Sequence, residues 1–144
     1  MHPYPHRYVV AAASEPTGDV RLSGDKLPTI ASAAPVEFDG PGDRWSPETL
    51  LCAAVADCFQ LSFRAIARAS RFEWRSLECT VEGTLDKVDN KARFIELVVR
   101  ATLHAPTGVD QARAIRLMEK AEQTCLITNS LLATRRLEPT VVAG

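Results

Sequence analysis

From Leu51 to Ala69 apolar residues return every three or four positions, at Leu51, Ala54, Val55, Cys58, Leu61, Ala65 and Ala69, while Asp57, Arg64 and Arg68 fall elsewhere on the wheel. That spacing predicts one long amphipathic helix burying a single stripe. Its start is marked by Ser46 at an N-cap position, Pro47 at the first helical position and Glu48 in the first turn, where a carboxylate favours the helix dipole. It is expected to run to about Ser70. The period then changes to two. Leu77, Cys79, Val81, Gly83 and Leu85 alternate with Glu78, Thr80, Glu82 and Thr84, and Ile95, Leu97, Val99, Ala101 and Leu103 alternate in the same way further on. With Asp89-Asn90-Lys91 between them, the two runs predict an antiparallel hairpin with one buried face.

A second amphipathic helix is expected over Asp110 to Thr124, where Ala114, Leu117, Met118 and Ala121 share a face and Cys125 follows at the end. "LITNSLL" reads as a shorter helix or turn with Asn129 and Ser130 as caps, and "LEPTVVAG" as a last strand. Towards the N-terminus, "RYVVAAAS" and "GDVRLSG" read as strands around a turn at Pro16 to Asp19. "APVEFDG" reads as a third, before the loop "GPGDRW". Strands placed before and between two helices give an α+β fold, an antiparallel sheet wrapping a long central helix. No repeat or linker divides the chain, so residues 1–144 are expected to form a single domain.

Composition narrows the chemistry. With 46% hydrophobic and 24% charged residues the chain has the make-up of an ordinary globular protein. Seventeen Lys and Arg against 18 Asp and Glu leave a net charge of −1, without the basic footprint that nucleic acid or an anionic membrane demands, and neither is expected as a partner. The N-terminal apolar patch is broken by prolines and too short for a membrane span or signal peptide, which points to the cytoplasm. The three histidines show no ligand spacing and there is no CxxC pair, so no metal is expected.

Four cysteines, Cys52, Cys58, Cys79 and Cys125, remain in a chain without an export signal, which leaves redox chemistry or plain burial. Cys52 and Cys58 lie six residues apart, about 9 Å of helical rise and roughly 120° of offset, too far to bond to each other. Cys79 faces the apolar side of its strand and reads as a small inert hydrophobe, with Cys52 similar. Cys58 in mid-helix and Cys125 at a helix end both lie on faces that should meet in the core. Spacing alone leaves packing and chemistry open for both.

The segment "WSPETLLCAAVADCF" resembles the family of osmotically inducible protein C and the organic hydroperoxide resistance proteins (OsmC/Ohr), in which a proline-glutamate pair opens a long helix and a peroxidatic cysteine lies ten residues after the glutamate. Glu48 and Cys58 match that spacing. "AEQTCLITNSL" resembles the family's second cysteine region, and "VEGTLDKVDNKARF" its middle section. The resemblance implies an OsmC-like fold and a thiol-dependent peroxidase for organic or hydrogen peroxides. Cys58 is then peroxidatic and Cys125 resolving, a dithiol reductant recycles the disulfide, and the protein is a homodimer without cofactor. A thiolate is the reactive species, and burial opposes it, so a cation, helix-terminus amides or an opening to solvent must stabilise the charge. In the family an arginine held by the glutamate does so; Arg21 and Arg44 are the candidates here for that substrate-binding role. Ordinary duties compete with these assignments: Glu48 also serves the helix dipole, and either arginine also reads as a solvated surface residue. The alternatives are an OsmC-like binding or redox-sensing protein without efficient turnover, favoured by the lack of a clear arginine match, and an acyl-thioester hydrolase using Asp57 or Glu48 as base, against which the paired cysteines argue.

Overall fold

Alternation along Val20–Gly24 sends Val20 and Leu22 to one side of the chain and Arg21 and Ser23 to the other, so this strand (β2) can pack one face and wet the other. In the structure, a computed structural model that describes residues 1–144, β2 is the middle strand of an antiparallel sheet between β1 (Ala11–Ala13) and β3 (Leu27–Ser32). The chain divides into two compact units, Met1–Leu50 and Leu51–Gly144.

In the first unit the expected pair of strands around Pro16–Asp19 forms, but the third strand is not "APVEFDG". That segment makes a short 3-10 turn, Val36–Phe38, closed by Asp39 in the left-handed region (φ 64°). The strand is "LPTIAS", entered through a tight turn in which Lys26 takes φ 61°. Pro28 is accommodated because β3 lies at the sheet edge, where a missing N–H breaks no ladder.

Helix α1 (Pro47–Ala69) begins where expected, with a reciprocal cap: the Thr49 amide donates to Ser46 Oγ at 3.1 Å and the Ser46 amide to Thr49 Oγ1 at 2.8 Å. This is the capping-box arrangement with threonine replacing the usual glutamate. Its buried stripe is Val55, Phe59, Phe63 and Ala67, rotated from the predicted one, and Leu61, Ala65 and Ala69 are exposed. Apolar residues nearly encircle this helix, and the two phenylalanines, having most area to bury, set the inward face. By length and composition α1 could also cross a membrane; in this fold its apolar stripe joins Leu97, Val99, Ala101, Leu103, Ala114, Met118 and Ala121 in one core.

The hairpin forms as predicted from β4 (Ser76–Val88) and β5 (Lys91–Ala105). Its two-residue loop, Asp89-Asn90, has both φ angles positive (52° and 65°), as the type I′ turn that suits twisted strands requires. A bulge between Thr84 and Leu85 shifts the register so that Leu85 pairs with Phe94. Beyond it Phe94 packs against the core and Leu85 turns outward. Gly83 fits this spot because a Cβ there would stand 2.8 Å from Phe94 Cε1 and 2.9 Å from Cys52 Sγ.

Helix α2 (Gln111–Gln123) is capped by Asp110, whose carboxylate accepts from the Arg113 amide at 3.0 Å, and α3 (Leu126–Asn129) is a single turn beginning just after Cys125. The last strand, β6 (Thr134–Ala143), runs parallel to β5, so the second sheet is mixed rather than purely antiparallel. The return through α2 and α3 supplies the crossover that a parallel pair needs.

Candidate functional site: a pair of thiols at the α2–α3 corner

Cys58 and Cys125 come together. Cys58 projects from the fourth turn of α1 beside the inward stripe and is half-buried, while Cys125, at the junction of α2 and α3, is 1% exposed. Burial acts to raise the Cys58 pKa, but donors outweigh it: the Ile127 amide, the Cys125 thiol, the Ser62 hydroxyl at 3.9 Å and the Leu126 amide all point to its sulfur. The net result is a thiol below the ordinary range. These amides are the first of the α3 turn, whose N–H groups have no partner within the helix and are free to face an anion.

Cys125 is moved the opposite way. Burial raises it, and so does the neighbouring Cys58, while the Thr128 hydroxyl, donating at 3.2 Å, and the Thr128 amide only partly offset this. The two thiols of the pair are therefore shifted in opposite directions, Cys58 down and Cys125 up. The other two cysteines are both raised by burial. Cys52 faces Gly83, and Cys79 accepts from Gln60 at 3.6 Å and lies against the Ala56 carbonyl at 3.9 Å. Both behave as the packed hydrophobes that their faces predicted.

The carboxylate and the two arginines belong to the first unit. Glu48 lines an apolar cavity of about 450 Å³ with Val20, Leu22, Ser32, Pro35 and Phe38, and its buried Oε1 has no hydrogen-bond partner. Arg21 does not line it. Strand alternation turns this residue to the opposite face from Val20 and Leu22, where it pairs with Glu15 at 2.7 Å. Arg44 also lies outside the cavity, bonded to Asp19 at 3.0 Å and to Asp43 at 3.3 Å. These carboxylates, absent from the sequence-based reading of the arginines, occupy both guanidinium groups.

Sequence reasoning also missed Ser62, Thr128 and the two amides. Ser62 was findable, since a residue four positions after Cys58 shares its helix face. Amides carry no letter, and only the turn that follows Cys125 aims them.

A family model described as OsmC-like protein matches residues 40–139. Among curated relatives, an uncharacterized protein, YmaD, of Bacillus subtilis (strain 168) is 27% identical over 119 residues, 81% of this chain and 78% of that protein. Peroxiredoxin OsmC of Escherichia coli (strain K12) is 27% identical over 93 residues, 65% of this chain and 64% of that protein. Among solved structures, an OsmC-like protein of unknown function from Vibrio cholerae superposes with a TM-score of 0.84 at 17% identity, covering 94% of this chain and 99% of that one. An organic hydroperoxide resistance protein OsmC from Legionella pneumophila does so with a TM-score of 0.76 at 24% identity, covering 96% and 98%. The fold is thus that of OsmC-like proteins, and with the family match spanning both the Glu48 and Cys58 segment and Cys125, the chain belongs to the OsmC family.

Proposed function

We propose that the protein is a thiol-dependent peroxidase for organic or hydrogen peroxides, with Cys58 peroxidatic and Cys125 resolving. The observation that carries this reading is the lowered Cys58 thiol facing both Cys125 and the amides of Leu126 and Ile127. The Cys58 thiolate attacks the hydroperoxide: an S–O bond forms, the O–O bond breaks, and the departing alkoxide takes a proton to leave as the alcohol. Cys58 is left as a sulfenic acid, and its negative charge is gone. With that charge removed, one of the causes holding Cys125 protonated disappears. Cys125 then attacks the Cys58 sulfur, the S–S bond forms, and hydroxide leaves with the Cys125 proton as water. A dithiol reductant returns both thiols by exchange, and the cytoplasm, where such reductants keep thiols reduced, is the setting.

The homologous peroxiredoxin and the hydroperoxide resistance neighbour support the substrate class. A homodimer is part of the proposal: the first unit exposes Leu27, Val36, Phe38 and Trp45, each more than half accessible, as a subunit that buries apolar surface in a partner does. Glu48, its buried Oε1 unpartnered, is assigned as the carboxylate available to hold an arginine. The engagement of Arg21 and Arg44 by acidic neighbours favours one second reading, a redox-sensing or binding protein that is oxidised once and turns over poorly.

One experiment separates the two. Reduced protein is treated with an organic hydroperoxide, free thiols are counted after denaturation, and the new linkage is mapped by peptide mass. Loss of two thiols as a Cys58–Cys125 disulfide, repeated over many equivalents of peroxide when a dithiol is supplied, is the result expected of the peroxidase. The same disulfide with a single turnover is the sensor's result, and four thiols still free would remove both.

A further inference from the structure

Arg135 stands at the start of β6 on the same side of the strand as core-facing Leu137, opposite to Arg136 and Glu138. Its guanidinium reaches across to α2 and α3 with three donors. Nε bonds the Glu122 carboxylate, one terminal nitrogen bonds the Glu122 main-chain carbonyl, and the other bonds the Asn129 side-chain oxygen. The pair with Glu122 is sheltered, the two side chains being 28% and 13% exposed. Glu122 lies three residues before Cys125 and Asn129 four residues after it. A single planar group therefore grips both ends of the segment that carries the Cys125 thiol and the Leu126 and Ile127 amides. It also satisfies a terminal carbonyl of α2, where a cation is favoured by the helix dipole.

We propose that Arg135 is a positioning residue for the thiol pair, one that fixes the turn after Cys125 so that its amides stay on the Cys58 sulfur. The inference rests on the assignment of Cys58 as the reactive thiol. Arg135 touches neither sulfur; it acts through the backbone it holds. A planar fork suits this better than an ammonium, because three acceptors at two places on the chain must be met at once.

The test uses the full-length reduced protein and the variants Arg135→Met, Arg135→Lys and Arg136→Met, the last removing the neighbouring arginine that pairs with Glu138 on the other face. Two readouts are compared: the pH midpoint of Cys58 alkylation by iodoacetamide, resolved by peptide mass, and the rate of Cys58–Cys125 disulfide formation with cumene hydroperoxide. Because a hydrogen bond to a charged group is worth about one pKa unit, Arg135→Met is expected to raise the Cys58 midpoint by about 0.5–1 unit. Disulfide formation is expected to slow by roughly 3–10-fold as the thiolate fraction falls. Arg135→Lys should recover part of both, and Arg136→Met should move neither. If Arg135→Met unfolds the chain, Asn129→Ala removes one of the two anchors and is expected to give the same upward shift at smaller size. An unmoved Cys58 midpoint in a folded Arg135→Met or Asn129→Ala variant would overturn the proposal. A shifted midpoint together with no peroxide-driven disulfide in the parent protein would instead keep the positioning role and remove the peroxidase.

Discussion

Helix α1 carries two cysteines six residues apart whose sulfurs meet opposite conditions. Cys52 packs against Gly83 and the hairpin, and burial pushes its thiol up; Cys58 is also desolvated, yet its thiol is pushed down. Desolvation pushes both upward, and it weighs more on Cys52, the more deeply placed of the two. The supply of donors differs too: Cys52 receives one amide, from Gly83, whereas Cys58 receives the amides of Leu126 and Ile127, the Cys125 thiol and the Ser62 hydroxyl. Two of the four donors that lower Cys58 come from a turn almost seventy residues away in sequence.

The hardest blow to this contrast is Cys58→Ser. It should reduce peroxide-driven thiol loss to that of an unfolded control, whereas Cys52→Ala should leave the rate unchanged, as measured by thiol counting under excess hydroperoxide. Gly83→Ala acts on the other side of the comparison. The new methyl group overlaps Phe94 and Cys52, and overpacking of this kind is expected to cost about 1–3 kcal/mol in urea unfolding while leaving the Cys58 alkylation midpoint in place. Thr128→Val keeps the shape of a residue that is 4% exposed and removes its hydroxyl donation to Cys125. Loss of about 1 kcal/mol of support for the Cys125 anion should slow the resolving step by about fivefold in single-turnover kinetics, with the sulfenic acid accumulating in its place.

The smallest effect is on stability against pH. Cys58 is lowered, so the folded state binds this proton less tightly than the unfolded chain. Its contribution is complete above the ordinary thiol value of about 8.5 and is lost as pH falls through the folded value. Cys52, Cys79 and Cys125 are raised, so they oppose folding as pH climbs above the ordinary value. Stability should rise slightly towards pH about 8.5 and decline beyond it. In urea titrations at several pH values, Cys58→Ser should erase the rise and Cys79→Ala should soften the decline.

Much of the fold was legible where side-chain chemistry dictates backbone geometry. Ser46-Pro47 announced the start of α1 and Asp89-Asn90 the hairpin turn, because each residue type solves a local problem of capping or of positive φ. Legibility failed where the deciding contact is distant. "LPTIAS" went unread as a strand, "APVEFDG" was read as one although the segment turns, and nothing in "LEPTVVAG" distinguishes parallel from antiparallel pairing. The α1 stripe was misplaced because apolar residues occupy most of its circumference.

The site divides along the same line. Cys58 and Cys125 stood out by their positions and by the motif around them, and the fold brings them together. The arginine expected near the thiolate was sought among Arg21 and Arg44, both of which are engaged by acidic neighbours, while the groups that do reach Cys58 include main-chain amides, invisible to any reading of side chains. Arg135, which grips the chain on both sides of those amides, carries no local mark either, since its partners Glu122 and Asn129 are meaningful only once the α2–α3 corner is formed.

Site-resolved alkylation of the four cysteines across pH 5–10, around the ordinary thiol value of about 8.5, measures the underlying asymmetry without any assumption about substrate. Cys58 should be modified first, with a midpoint below 8.5, and Cys52, Cys79 and Cys125 later, with midpoints above it. Modification of Cys52 or Cys79 ahead of Cys58 in the folded protein would contradict the assignment of Cys58 as the activated thiol.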